Sequence, residues 1–126
     1  MAVNYAAALK SSRMQAVIAA IDAGPGPGTL EICTAAFAAV LAVIPLADPS
    51  FTEAGGVITL AGVPRSDNAA DAAGTAAVAR IKDSTGAVVV DNLTVGVGTG
   101  DIQLNSVTIS VGQAVTITGG TITHAA

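Results

Sequence analysis

The residues that could do chemistry are few and far apart. Cys33 is the single cysteine and His124 the single histidine in 126 residues. A thiol nucleophile needs a base within hydrogen-bond reach and a third group to orient that base. The spacing of Cys33 and His124 supplies no such third group. Cys33 therefore reads as a small, packed strand residue and His124 as a terminal or interface side chain. One cysteine also excludes an intrachain disulfide and a cysteine-rich metal site. Asp67, Asp71, Asp83, Asp91 and Asp101 fall in turns and at strand ends, where a short acid bonds its own backbone. Asp67-Asn68-Ala69-Ala70-Asp71 offers the oxygen ligands calcium prefers, but lacks the spacing and closing Glu of an EF-hand loop. Gly96-Val97-Gly98-Thr99-Gly100 superficially resembles a phosphate cradle. Such loops lead from a strand into a helix N-terminus, whereas here Asp101 adds negative charge and a strand pattern follows. Gly24-Pro25-Gly26-Pro27-Gly28 lacks the Lys-Ser/Thr of a P-loop, and Asn92-Leu93-Thr94 matches a glycosylation sequon by pattern alone. No catalytic, cofactor-binding or metal-binding residue is assigned, and an enzyme is not expected.

Composition narrows the class further. Hydrophobic residues make up 52% of the chain, but aromatics only 2%: Tyr5, Phe37 and Phe51. The core must then be built of Val, Ile, Leu and Ala, which bury less area per residue than rings do. Association with copies of itself or a partner would supplement such a core. Charged residues are 11%, against roughly 25% in ordinary domains. The net charge is −4, and Lys10, Arg13, Arg65, Arg80 and Lys82 are scattered. Nucleic-acid binding calls for a concentrated basic footprint, so that partner is not expected. Lys10 and Arg13 precede an apolar stretch that Asp22 cuts short, so no signal peptide is read. The longest uncharged run lies between Glu31 and Asp48 and is interrupted by Pro45. It is shorter than the roughly 20 residues of a membrane helix, so a soluble chain without a membrane partner is expected.

The elements follow from periodicity. Tyr5, Leu9, Met14, Val17, Ile18 and Ile21 approximate one helical stripe, with Asn4 as a cap and Gly24 as a stop. Gly24 to Gly28 can be neither helix nor ladder strand, and reads as a hinge. The predicted division is residues 1–28, helix and Gly/Pro hinge, and residues 29–126, a β-sandwich domain. The helix stripe can cover that domain or pack, as an arm, on a neighbouring subunit.

Thr29 to Thr34 alternates, with Leu30 and Ile32 on one face. Ala35 to Leu46 fits either a helix stripe or a strand, and Val43-Ile44-Pro45 favours strand in its second half. Val57 to Val63 reads as a strand closed by Pro64, Arg65 to Gly74 as a loop, and Thr75 to Lys82 as a strand. Asp83-Ser84-Thr85-Gly86 reads as a hairpin turn. Then come Ala87 to Asp91, a strand carrying Leu93, Val95 and Val97, a break at Gly98 to Gly100, and Ile102 with Leu104. Val107, Ile109 and Val111 share a face. Val115 and Ile117 alternate with Thr116 and Thr118, Gly119-Gly120 turns the chain, and Thr121 to Thr123 is a last strand. The expected fold is mainly β, an antiparallel sandwich, jelly-roll-like sheet pair or barrel, with one N-terminal α-helix.

Several segments carry a resemblance. Met-Ala-Val-Asn-Tyr at the start, Gly28-Thr29-Leu30-Glu31-Ile32, Leu46-Ala47-Asp48-Pro49-Ser50, Gly74-Thr75-Ala76-Ala77 with Ala79-Arg80-Ile81, Leu93-Thr94-Val95-Gly96, Gly112-Gln113-Ala114-Val115-Thr116-Ile117 and Thr121-Ile122-Thr123-His124-Ala125 are similar to small virion proteins of tailed bacteriophages. The resemblance spans nearly the whole chain and rests on strand and turn signatures rather than catalytic fingerprints. It implies a head-decoration (cement) protein that bridges major capsid protein subunits on the outer head surface, as a dimer or trimer. It also implies a location in the virion after assembly in the bacterial cytoplasm. The alternative is a tail- or fibre-associated module that recognises a receptor.

Overall fold

The computed structural model describes residues 5–24, 26–47 and 49–123. One helix, α1 (Ala7–Ile21), precedes eleven strands: β1 (Thr29–Cys33), β2 (Val40–Pro45), β3 (Phe51–Ala54), β4 (Val57–Leu60), β5 (Arg65–Asp67), β6 (Gly74–Thr75), β7 (Val78–Lys82), β8 (Val88–Gly96), β9 (Ile102–Leu104), β10 (Thr108–Ile109) and β11 (Val115–Thr123). Strand accounts for 44% of the described residues, so the mainly β expectation with one N-terminal helix holds, and the sheet curls into a half-barrel. Nine strands form that sheet, in the order β2-β1-β7-β8-β9-β11-β4-β3, with β5 paired to β11 off this path. A separate two-stranded ladder joins β10 and β6.

α1 forms where helix formers dominate, and its stripe divides in two. Met14 and Ile21 are buried, and Val17 and Ile18 pack against the core, one helical face at i, i+3, i+4 and i+7. Tyr5 and Leu9 of the same predicted stripe are exposed. The helix lies against β3, β4 and β8 of its own chain. Its C-terminal end is tied down by polar bonds: the Ser50 N–H donates to both Asp22 carboxylate oxygens at 3.2 Å, and Ser84 Oγ donates to the Ala23 carbonyl at 3.0 Å. Asn4, the expected cap, lies outside the described residues.

The alternation in β1 and β7 gives the expected faces. Leu30, Ile32, Ala79 and Ile81 point into the core, which Leu41, Ile44, Phe51, Ile58, Ile102, Leu104 and Ile117 complete. The ambiguous stretch resolves into a 3₁₀ turn, Ala35–Phe37, followed by β2. That turn holds Ala36 at φ 57°, ψ 25° and Phe37 at φ 57°. This left-handed region costs an L-residue roughly 1–2 kcal/mol and glycine almost nothing, although glycine loses more backbone entropy on folding. Ala36→Gly is therefore expected to stabilise the protein by about 0.5–1 kcal/mol. A lowered thermal midpoint would contradict this.

Several expected boundaries move. Gly119-Gly120 does not turn the chain, because β11 runs through it and the two glycines pair with Gln103 and Ile102. Glycine is needed at 120 because of this close approach: a Cβ there would lie 3.1 Å from Ile102 Cδ1 and 3.3 Å from the Asp101 carbonyl oxygen. The two strands expected around Asn92 are one, β8, with Asn92 absorbing an irregularity at φ 57°. Asn tolerates that conformation better than most residues do. Val97 lies beyond the end of β8. The Arg65 to Gly74 loop contains β5, and Val57 to Val63 is strand only as far as Leu60. β3, unanticipated, pairs with β4 through a Gly55-Gly56 turn. One pair is not antiparallel: β8 and β9 run parallel, with Val95 opposite Ile102 and Gly96 opposite Gln103.

Candidate functional site

The residues singled out for chemistry are dispersed. Cys33 ends β1, fully buried, and burial pushes its thiol above the ordinary value of 9.0. It is thus held protonated, the unreactive form. His124 lies outside the described residues, and so does any pairing of it with Cys33. Among the described residues, no three His, Cys, Asp or Glu side chains converge as a metal site.

The Asp67 and Asp83 carboxylates serve the backbone. Asp67 Oδ1 accepts from the Ala69 N–H at 3.0 Å, and its Oδ2 accepts from the Val43 N–H at 3.1 Å. Asp83 Oδ1 accepts from the Thr85 hydroxyl at 2.6 Å and from the N–H groups of Thr85 and Ala87 at 2.9 and 3.1 Å. The Thr85 hydroxyl first, and then these N–H groups, hold the Asp83 carboxyl below its usual range. Asp71 meets β2 through its backbone: its N–H donates to the Leu41 carbonyl at 2.8 Å.

The Gly96 to Gly100 run folds the chain back on itself. Parallel strands ordinarily need a crossover of a dozen or more residues, yet here residues 97–101 suffice. Gly98 and Gly100 adopt φ 71° and 87°, and a Cβ on Gly96 would sit 2.9 Å from the Thr99 carbonyl oxygen. Thr94 and Asp101 lock the reversal: the Thr94 N–H donates to Asp101 Oδ2 at 3.0 Å, and the Asp101 N–H donates to Thr94 Oγ1 at 2.9 Å. The loop delivers a strand rather than a helix, so it lacks the helix N-terminus of a phosphate cradle.

The densest charged group among the described residues joins two strands that lie far apart in the chain. Glu31 on β1 sits opposite Arg80 on β7. Arg80 Nε donates to Glu31 Oε1 at 2.6 Å, and Lys82 Nζ lies 3.1 Å from Glu31 Oε2. The Arg80 guanidinium also lies 5.3 Å from the centre of the Phe37 ring, within cation–π range. Burial pushes the Glu31 carboxyl up, but Arg80 and then Lys82 outweigh it and hold it below 4.5. The signal was present in part, since Glu31 and Cys33 share one strand face while Arg80 and Lys82 share another. Only the β1–β7 register puts them together. The arrangement is a saturated ion-pair cluster: both carboxylate oxygens are engaged, and it serves to fasten β1 to β7.

Among the described residues, the large exposed apolar side chains lie on strand ends and turns and on or beside α1: Val63, Val88, Val97 and Val111, with Tyr5 and Leu9. Val111 is the most open of them, at 70%. No helix among the described residues is long and apolar enough to cross a membrane. No known protein family, curated protein or solved structure matches the chain.

Proposed function

We propose that this chain is a bacteriophage capsid decoration (cement) protein, a non-enzymatic part that binds the outer head surface and bridges major capsid protein subunits. The observation that carries the reading is a surface poor in charge that presents Val63, Val88, Val97 and Val111 singly at turns and strand ends. Each such contact is small, since burying a valine contributes about 1.5–3 kcal/mol at most. Repetition over a lattice multiplies them through geometry rather than through one strong site. The resemblance of the strand and turn segments to small phage virion proteins supports the same reading. So does the scarcity of Lys and Glu, which interface cores disfavour.

In this reading the curled sheet works as the jelly-roll-like or sandwich body, residues 29–126. The helix α1 covers the sheet of its own chain and turns Tyr5 and Leu9 outward, and copies of the chain associate as dimers or trimers. Particles lacking the chain are expected to release their genome at a lower temperature than complete particles, measured by dye access to DNA during heating. Equal release temperatures, or cryo-EM density on the tail rather than the head lattice, would overturn the proposal. Tail density would point instead to a fibre-associated recognition module.

A further inference from the structure

β2 is a terminal strand in the sheet order, where outward N–H and C=O groups would offer themselves to another chain. Leu41, Val43 and Pro45, every second residue, point away from β1 the groups they have, which for Pro45 is the carbonyl alone. Residues 65–71 meet one group of each. The Asp71 N–H donates to the Leu41 carbonyl at 2.8 Å, the Val43 N–H donates to Asp67 Oδ2 at 3.1 Å, and Arg65 Nε donates to the Pro45 carbonyl at 2.6 Å. Two of the three partners are side chains. The backbone of β5 ladders with β11 instead, Arg65 opposite Ile117 and Asp67 opposite Val115. The half-barrel therefore closes at β2 by side-chain surrogates for a strand.

We infer that residues 65–71 are a clasp masking the outer edge of β2, and that releasing the clasp makes Val40–Pro45 a pairing strand for a second copy of this chain. The sequence Val-Leu-Ala-Val-Ile-Pro names the occupant. It carries no charge, so two β2 edges meeting antiparallel about a two-fold axis place no like charges opposite one another. Val40, Val43 and Ile44 are β-branched, the residue type that favours strand. β3, at the other end of the sheet order, carries Glu53 and would bring that charge near its own copy. The inference concerns self-pairing through one edge and stands apart from any capsid role.

The test is the double variant Arg65→Met/Asp67→Ala, checked for folding by circular dichroism and then sized by light scattering over a wide concentration range. Its mass is expected to double relative to the wild-type chain as concentration rises. Adding Val43→Lys, which sets like charges across the new pair, is expected to reverse the doubling. A folded double variant that keeps the wild-type mass at every concentration overturns the inference. Hydrogen exchange on the unaltered chain decides independently of whether the variant folds. The Val43 amide, held only by the clasp, is expected to exchange at least about tenfold faster than the Ile81 amide inside the sheet. Equal protection of the two amides overturns the inference as well.

Discussion

Phe51→Ala is expected to cost about 3–5 kcal/mol of folding stability, the range for deleting a buried ring and leaving a cavity. Phe51 is one of three aromatic residues in the chain and is 2% exposed. It pairs with Leu60 across the β3–β4 hairpin, on which α1 rests. The rest of the core is aliphatic and held by backbone ladders, so no neighbouring ring can swing into the void. A loss of this size is a large part of the roughly 5–15 kcal/mol that keeps a typical domain folded. In a thermal melt it corresponds to a fall on the order of 10–20 °C. Phe51→Leu keeps most of the volume and is expected to recover more than half of the loss. A loss below about 1 kcal/mol for the alanine variant would mean that the core does not depend on this ring.

Glu31→Gln is expected to have the second largest effect, and one that depends on pH. The substitution leaves Arg80 and Lys82 without their shared carboxylate. Hydrogen bonds to charged groups contribute about 1.5–3 kcal/mol. Glu31 is 12% exposed, but its partners are 25% and 23% exposed, so solvent weakens the pair and about 1–2 kcal/mol is expected at neutral pH. The Glu31 carboxyl titrates below its ordinary 4.5 in the folded chain. A depressed carboxyl contributes its full stabilisation above the unfolded value and loses it as pH falls through the folded value. The gap in urea midpoint between wild type and variant should therefore be constant near neutrality and shrink below about pH 4.5.

Glu53, whose carboxyl is lowered chiefly by the Gly56 N–H, and Asp83 lose stabilisation in the same acid window. Both are present in the two proteins and cancel in the difference. A gap that persists unchanged at pH 3 would show that Glu31 acts through shape rather than charge.

Periodicity belongs to a single segment, and what it reports survived folding. The helical spacing of Met14, Val17, Ile18 and Ile21 marked the buried face of α1. The alternation of Leu30 and Ile32, and of Ala79 and Ile81, marked the inner faces of β1 and β7. The Asp83 to Gly86 turn was legible because an Asp followed by Ser, Thr and Gly closes its own backbone bonds locally. Pairing is different, because a strand's alternation says which side chains share a face and not which strand lies beside it. Phe51 to Ala54 is too short to show a period, and it became β3 only through β4.

Gly119-Gly120 looks like a turn in isolation. It is strand because β9 pairs with it, Gln103 opposite Gly119 and Ile102 opposite Gly120. The parallel return of β9 along β8, the Glu31–Arg80–Lys82 cluster and the clasp on β2 all join residues distant in the chain or reversed in direction. Local propensity determined the helix, the mainly β character and most strand faces. Register and edge closure were decided only in three dimensions, because their energies belong to pairs of segments that the chain does not bring together until it folds.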